Sequence, residues 1–199
     1  MLVKRIFDIF FSCLGLIILS PLFLVIAVLI KVDSAGSVFF RQVRVGQFGR
    51  EFKIFKFRTM VTNADKVGAN ITIGNDSRIT RMGYVLRKYK LDELPQLIDV
   101  MRGTMSFVGP RPEVPEYVRY YTTEIKDKVF SVKPGITDYA SILMIDESSL
   151  LAIADNPKQY YIETILPIKL GYAVKYVDNR SLYLDIKIIV QTIFKIFYR

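Results

Sequence analysis

Residues 6–30 read IFDIFFSCLGLIILSPLFLVIAVLI, an apolar run interrupted by Asp8, Ser12 and the pair Ser20-Pro21. As one straight helix, 25 residues would reach across the hydrocarbon core of a bilayer. The run is too long for a cleaved signal peptide and lacks a small-residue cleavage site. Charge then separates a span from a hairpin. Lys4 and Arg5 precede the run, while Lys31, Arg41, Arg44, Arg50, Lys53, Lys56 and Arg58 follow it. Basic residues collect on the cytoplasmic side, so basic flanks at both ends favour a segment that enters and returns there. Ser20-Pro21 supplies the bend, because proline removes a backbone donor and a serine hydroxyl can satisfy the freed carbonyl within lipid. The reading is a re-entrant helix-break-helix over residues 1–33 that anchors a domain over residues 34–199.

Composition agrees with an anchored domain. The chain has 199 residues, enough for one domain with a core plus an appendage. It is 51% hydrophobic yet 24% charged, so it is not a bundle of membrane spans. The formal net charge of +9 suits an anionic partner such as lipid headgroups, nucleotide phosphates or nucleic acid. Cys13 stands alone, so no internal disulfide forms and a reducing compartment is expected. Histidine is absent, which removes the commonest general base and the commonest zinc ligand. Catalysis must then rest on carboxylates, hydroxyls, Lys, Arg or an oxygen-bound metal.

Beyond a turn-rich junction at residues 33–37, two extended runs, Val38–Val45 and Glu51–Arg58, flank a glycine-bearing turn and read as a β-hairpin. If Phe52 and Ile54 face the core, period two places Lys56 and Arg58 on the same face. Either the strand frays into solvent there, or two cations point into a site. Residues 61–76 read as a polar loop, and Ile79–Lys90 and Glu113–Phe130 as helices. Lys133 to Asp138 reads as a turn. At the end, Leu182, Ile186, Ile189, Ile193 and Phe197 recur at helical spacing, with Lys187, Gln191 and Lys195 on another side. Such a helix either lies in the membrane interface or is an ordinary core helix. The fold class expected is α+β: a small membrane-associated domain with a β-hairpin and several helices.

The adjacent acids Asp92 and Glu93 precede Pro95, a residue tolerated in a helix's first turn. One reading is structural, since acids at a helix start cap it and complement its dipole. The other is chemical: a carboxylate beside free backbone N–H groups stands where phosphate also binds. Aspartate can attack a phosphoryl group, and a neighbouring carboxylate can help hold Mg²⁺ against the anionic substrate. Arg111 lies between Pro110 and Pro112, where a stiff backbone aims a guanidinium suited to phosphate.

Five stretches in order along the chain resemble the monotopic phosphoglycosyl transferases, the bacterial sugar transferase family. They are Lys4-Arg5-Ile6-Phe7-Asp8 with Ser20-Pro21; Phe55-Lys56-Phe57-Arg58-Thr59-Met60; Leu91-Asp92-Glu93-Leu94-Pro95-Gln96; Met105 to Glu113; and Pro134-Gly135-Ile136-Thr137. Asn179-Arg180-Ser181 and Leu184-Asp185-Ile186-Lys187 are also similar to the family. The resemblance implies a re-entrant membrane helix broken at Ser20-Pro21, at the cytoplasmic face of the bacterial inner membrane. It implies Asp92 as the nucleophile that takes a sugar-phosphate from a UDP-sugar and releases UMP. Glu93 would support it, the pair would hold Mg²⁺, and Lys56, Arg58, Arg87 and Arg111 would contact substrate. The acceptor implied is polyprenyl (undecaprenyl) phosphate, the product a polyprenyl diphosphate sugar that begins glycoconjugate assembly.

Two departures stand out. Where many members continue after Pro-Gly-Ile-Thr with Gly-Trp-Ala-Gln, this chain has Asp138-Tyr139-Ala140-Ser141, and it has no tryptophan. It also lacks the extra amino-terminal membrane helices of longer members and reads as the minimal catalytic unit. An N-acetylated amino sugar is the donor expected, with glucose or galactose as the alternative. The rival from another class is a non-catalytic membrane-tethered protein whose basic face holds lipid or nucleic acid. Nucleic acid would call for aromatics interleaved along a basic groove; Phe55 and Phe57 alternate as in a core strand, so no nucleic-acid partner is expected.

Overall fold

A computed structural model describes residues 2–64, 74, 76–144 and 147–197; most of the polar loop expected at residues 61–76 lies outside them. The apolar run forms two helices, α1 (Leu2–Ile18) and α2 (Ser20–Asp33), bent by 60° at Leu19. Pro21 cannot donate to the carbonyl of Ile17, and the Ser20 hydroxyl bonds that carbonyl instead at 2.8 Å. Among the described residues no single helix is long and apolar enough to cross a membrane, whereas this bent pair together has the length and composition.

The pair is inverted relative to an ordinary amphipathic helix. Lys4, Arg5, Asp8 and Ser12 of α1 face the protein. Asp8 accepts from the Ser106 hydroxyl and the Phe107 N–H, both at 3.2 Å. Arg5 donates to the carbonyls of Val100 and Met101, near the end of the helix Gln96–Arg102. Lys4 pairs with Asp185 and donates to the Val108 carbonyl. Ile26 and Ile30 pack on Phe57 and Leu86. The outer face, with Ile6, Phe10, Ile17, Leu24, Val28 and Val32, is apolar and exposed.

The hairpin forms as expected, with β1 (Phe39–Val45) antiparallel to β2 (Glu51–Phe57) and Phe40 opposite Lys56. Helix α3 (Arg81–Lys88) starts at Thr80, whose hydroxyl oxygen accepts from the Gly83 N–H. A 3₁₀ turn (Leu91–Glu93) and α4 (Gln96–Arg102) follow. The helix expected over 113–130 is two pieces, α5 (Pro115–Val118) and α6 (Thr123–Val129). Thr122 caps the second, taking the Ile125 N–H, and this competing cap stops the first.

Residues 133–138, expected as a turn, hold a strand. β4 (Gly135–Thr137) pairs in parallel with β3 (Ser106–Val108). Three-residue strands carry too little alternation to register in sequence. The rest is helical: α7 (Tyr139–Leu143), α8 (Glu147–Ala152), α9 (Pro157–Tyr160), a π-helical turn (Tyr161–Ile165), α10 (Leu166–Asn179) and α11 (Leu182–Phe197). Helix α11 buries Asp185 and Ile188, while Ile186, Val190, Ile193 and Phe194 stay exposed. Of the expected stripe, Ile186 and Ile193 face outward, while Leu182 is half-buried and Ile189 packs against the core.

Gly109 and Gly135 lie back to back: a Cβ on Gly135 would sit 2.1 Å from the Gly109 nitrogen. Gly135→Ala must push two backbones apart, and we expect a loss of about 1–3 kcal/mol or more. Thermal unfolding of the detergent-solubilised protein measures it.

Candidate active site

The two acids sit in the 3₁₀ turn that links α3 to α4, entered through Lys90 in the left-handed region (φ 57°). They do not cap α4. Its first flanking residue is Pro95, with no side-chain cap, and neither carboxylate accepts a backbone N–H. The helix-start reading of these acids is thus replaced by a separate turn that aims both carboxylates inward.

Glu93 is clamped. Lys56 Nζ donates to its Oε1 at 2.7 Å, and the Arg111 guanidinium engages both oxygens, with Nη1 at 3.3 Å from Oε2. Burial alone would raise this carboxyl, but Arg111 and Lys56 overcome it and hold Glu93 well below the usual carboxylate range. Burial likewise lowers Lys56, against the pull of Glu93. Arg111 is held more firmly charged, chiefly by Glu93.

Asp92 differs from its neighbour. It forms no hydrogen bond or ion pair among the described residues. Burial raises its carboxyl above the ordinary value, Lys56 opposes this, the Glu93 charge adds to it, and Arg87 and Lys90 oppose it in turn. A carboxylate free of donors yet ringed by cations keeps its lone pairs for an incoming group.

Of the expected basic residues, the structure brings together three. Lys56 projects from β2 on the face of Ile54, as the two-residue period requires. Arg87 on α3 donates through Nε to the Thr59 hydroxyl at 2.9 Å and acts on Asp92 through space. Arg111 reaches Glu93 from the loop after β3. Arg58 goes elsewhere. Strand β2 ends at Phe57, and Arg58 turns to the end of α2, donating to the carbonyls of Ser34 at 2.7 Å and Ala35. Ser20 and Pro21 lie at the helix break and not at this site.

The donor set bears on magnesium. Among the described residues no three Asp, Glu or Cys side chains converge into a metal-ligating group. Mg²⁺ characteristically takes one or two carboxylates and completes its shell with water and substrate phosphate. Asp92 fits that role, whereas the Glu93 oxygens are already taken by Lys56 and Arg111. The residues suit an ion shared with a phosphorylated ligand.

Four further residues had no site role assigned from sequence. Asp99 accepts the Phe55 N–H at 2.8 Å and fastens α4 to β2. Arg44 and Tyr161 meet on Glu113, beside Arg111. Arg44 and Tyr161 lie 117 positions apart, beyond the reach of any local pattern. Of the hairpin aromatics, Phe57 is buried against Phe23, and Arg41 covers Phe55 at 3.4 Å from its ring centroid.

A family model described as bacterial sugar transferase matches residues 1–199. An N-acetylgalactosaminephosphotransferase of Aeromonas hydrophila, named for UDP-N-acetylgalactosamine and undecaprenyl phosphate, is 39% identical over 96% of this chain and 43% of its own length. A UDP-glucose:undecaprenyl-phosphate glucose-1-phosphate transferase of Klebsiella pneumoniae is 40% identical over 98% of this chain and 40% of its own. The exopolysaccharide production protein ExoY of Rhizobium meliloti is 35% identical over 96% of this chain and 83% of its own. The chain thus spans about four-tenths of the first two relatives. With the match running from end to end and through the Asp92-Glu93 turn, the chain belongs to the bacterial sugar transferase family.

Proposed function

We propose that this protein transfers a sugar-1-phosphate from a UDP-sugar to undecaprenyl phosphate, through a covalent intermediate on Asp92. The observation that carries the reading is the division of labour between the acids: Glu93 bound on both oxygens, Asp92 without a bond among the described residues. In the first step an Asp92 oxygen attacks the phosphorus next to the sugar. The bond to the UMP oxygen breaks, and UMP leaves with the electron pair. In the second, a phosphate oxygen of the polyprenyl acceptor attacks the same phosphorus and frees the carboxylate. Lys56, Arg87 and Arg111 hold the donor's pyrophosphate, and Glu93 keeps Lys56 and Arg111 in place. Bound Mg²⁺, with Asp92 as its protein ligand, would neutralise the pyrophosphate and the departing UMP; Glu93 would join it only by giving up a cation.

The donor proposed is an N-acetylated amino sugar, as in the name of the Aeromonas relative. The name of the Klebsiella relative supports glucose as the second reading. A panel of nucleotide sugars scored by UMP release separates them. We also infer that α1 and α2 enter and leave the inner membrane from the cytoplasmic face. The 60° bend, the apolar outer face and the basic residues at both ends support this.

Three outcomes are expected. Mixed with labelled UDP-sugar and no lipid acceptor, the wild type gains the mass of a sugar-phosphate. Asp92→Asn does not, and its turnover falls at least about a thousandfold while it stays folded. An adduct on Asp92→Asn would refute the assignment.

The second concerns pH. Asp92 attacks only when ionised, and its raised carboxyl places the acid limb of kcat/KM above the ordinary aspartate range. Lys56 opposes that rise, so Lys56→Gln moves the limb to still higher pH. An unmoved limb would contradict the electrostatics.

For topology, the exposed Leu2 and Val32 are the positions to label, since Lys4 is tied to Asp185. In a Cys13→Ser background, Leu2→Cys and Val32→Cys should react from the same side of sealed vesicles. Labelling from opposite sides would show a span.

A further inference from the structure

The loop that carries Arg111 is anchored on both sides of that residue, in different ways. Before it, Gly109 and Pro110 are fixed to β4: the Gly109 N–H donates to the Thr137 carbonyl at 3.2 Å and the Gly135 N–H to the Pro110 carbonyl at 3.0 Å. After it, the anchor is the buried side chain of Glu113. Glu113 Oε1 accepts from Arg44 Nη1 at 3.3 Å and from the Val114 N–H at 2.9 Å. Oε2 accepts from the Tyr161 hydroxyl at 2.6 Å. Arg44 also donates to the Pro112 carbonyl at 3.1 Å, so one guanidinium holds both the loop backbone and the carboxylate below it. Tyr161 is presented by the π-helical turn, a distortion that recurs at functional sites. Its oxygen accepts in turn from Lys169, which pairs with Glu147 at 3.2 Å.

Buried Pro110, Pro112 and Val114 pack the loop in place, and directed polar bonds add to this. Between it and α10 lies a cleft lined by Pro110, Arg111, Glu113, Tyr121, Leu166 and Lys169. After Arg111 the polar bonds run to the Glu113 carboxylate from Arg44 and Tyr161, to the Pro112 carbonyl from Arg44, and to the Glu113 carbonyl from the Val45 N–H at 2.9 Å.

We propose that Glu113 is a positioning residue for Arg111, that Tyr161 acts on the reaction only through Glu113, and that Arg44 acts through Glu113 and the Pro112 carbonyl. This rests on the transferase reading above. The guanidinium fork must meet both oxygens of Glu93, and a shift of the Pro112 peptide would misalign it. Misplacement of a contributing group by about 1 Å can cost about a hundredfold in rate. In Glu113→Gln the amide nitrogen cannot accept, so Arg44 or Tyr161 loses its partner. Tyr161→Phe removes one hydroxyl and keeps the ring that packs on Tyr117 at 4.7 Å.

The experiment is a double-mutant cycle on the full chain in membranes. UMP release in the first half-reaction is measured per folded enzyme across a range of UDP-sugar. Glu113→Gln should lower kcat about a hundredfold and Tyr161→Phe about five- to tenfold, with the loss larger in kcat than in KM. In an Arg111→Lys background, where the fork is already lost, each should cost less than about a further twofold. Tyr161→Phe keeps the test open if Glu113→Gln does not fold. Full, additive losses in that background would overturn the positioning role, as would unchanged kcat in Tyr161→Phe. A wild-type chain that releases no UMP would instead overturn the transferase reading, and this role with it.

Discussion

Everything at the site depends on one buried triad, Glu93 between Lys56 and Arg111. It joins the edge of the hairpin, the 3₁₀ turn and the Pro-Arg-Pro loop, segments far apart in the chain. Buried ion pairs return little net stability, because desolvation offsets most of the attraction. What they do well is fix geometry, since a charge left unpartnered in the interior is costly. Here the arrangement also consumes the charge of Glu93 and leaves that of Asp92 available. Two adjacent acids of nearly equal intrinsic acidity are pushed in opposite directions by their surroundings, one down and one up.

The second organising constraint is the inversion of α1. Its polar side chains are spent on the protein: Lys4 on Asp185, Arg5 on the end of α4, Asp8 on β3. The surface left over is hydrocarbon, and the outward stripe of α11 adds to it. A water-soluble domain would bury such a surface. The membrane placement proposed above would cover it with lipid.

How much of this could be read in the sequence follows from the range of each interaction. The helix break at Ser20-Pro21, the hairpin and the inward phase of Lys56 are local and were legible. The Asp92-Glu93 pair was visible as a motif, but the seven-residue helix after it begins too late for the acids to cap it. Arg58 shares the phase of Lys56, yet lies one residue beyond the strand, where free carbonyls at the end of α2 draw it away. The break at Thr122 was written in its capping hydroxyl and lost beneath a longer apolar pattern. The parallel β3–β4 pair and the Arg44–Glu113–Tyr161 cluster join residues far apart in the chain, and no window of sequence contains them.

The Ser20 hydroxyl on the Ile17 carbonyl has a mechanical meaning. A bend with its hydrogen bonds satisfied from within needs no neighbouring helix or trapped water to hold its angle, so the two limbs form a stiff bracket. One limb is bolted by Arg5 to the last carbonyls of α4, and α4 begins three residues after Glu93. In the re-entrant placement proposed above, such a bracket would act as a depth gauge, setting the height of the Asp92 carboxylate relative to the lipid plane.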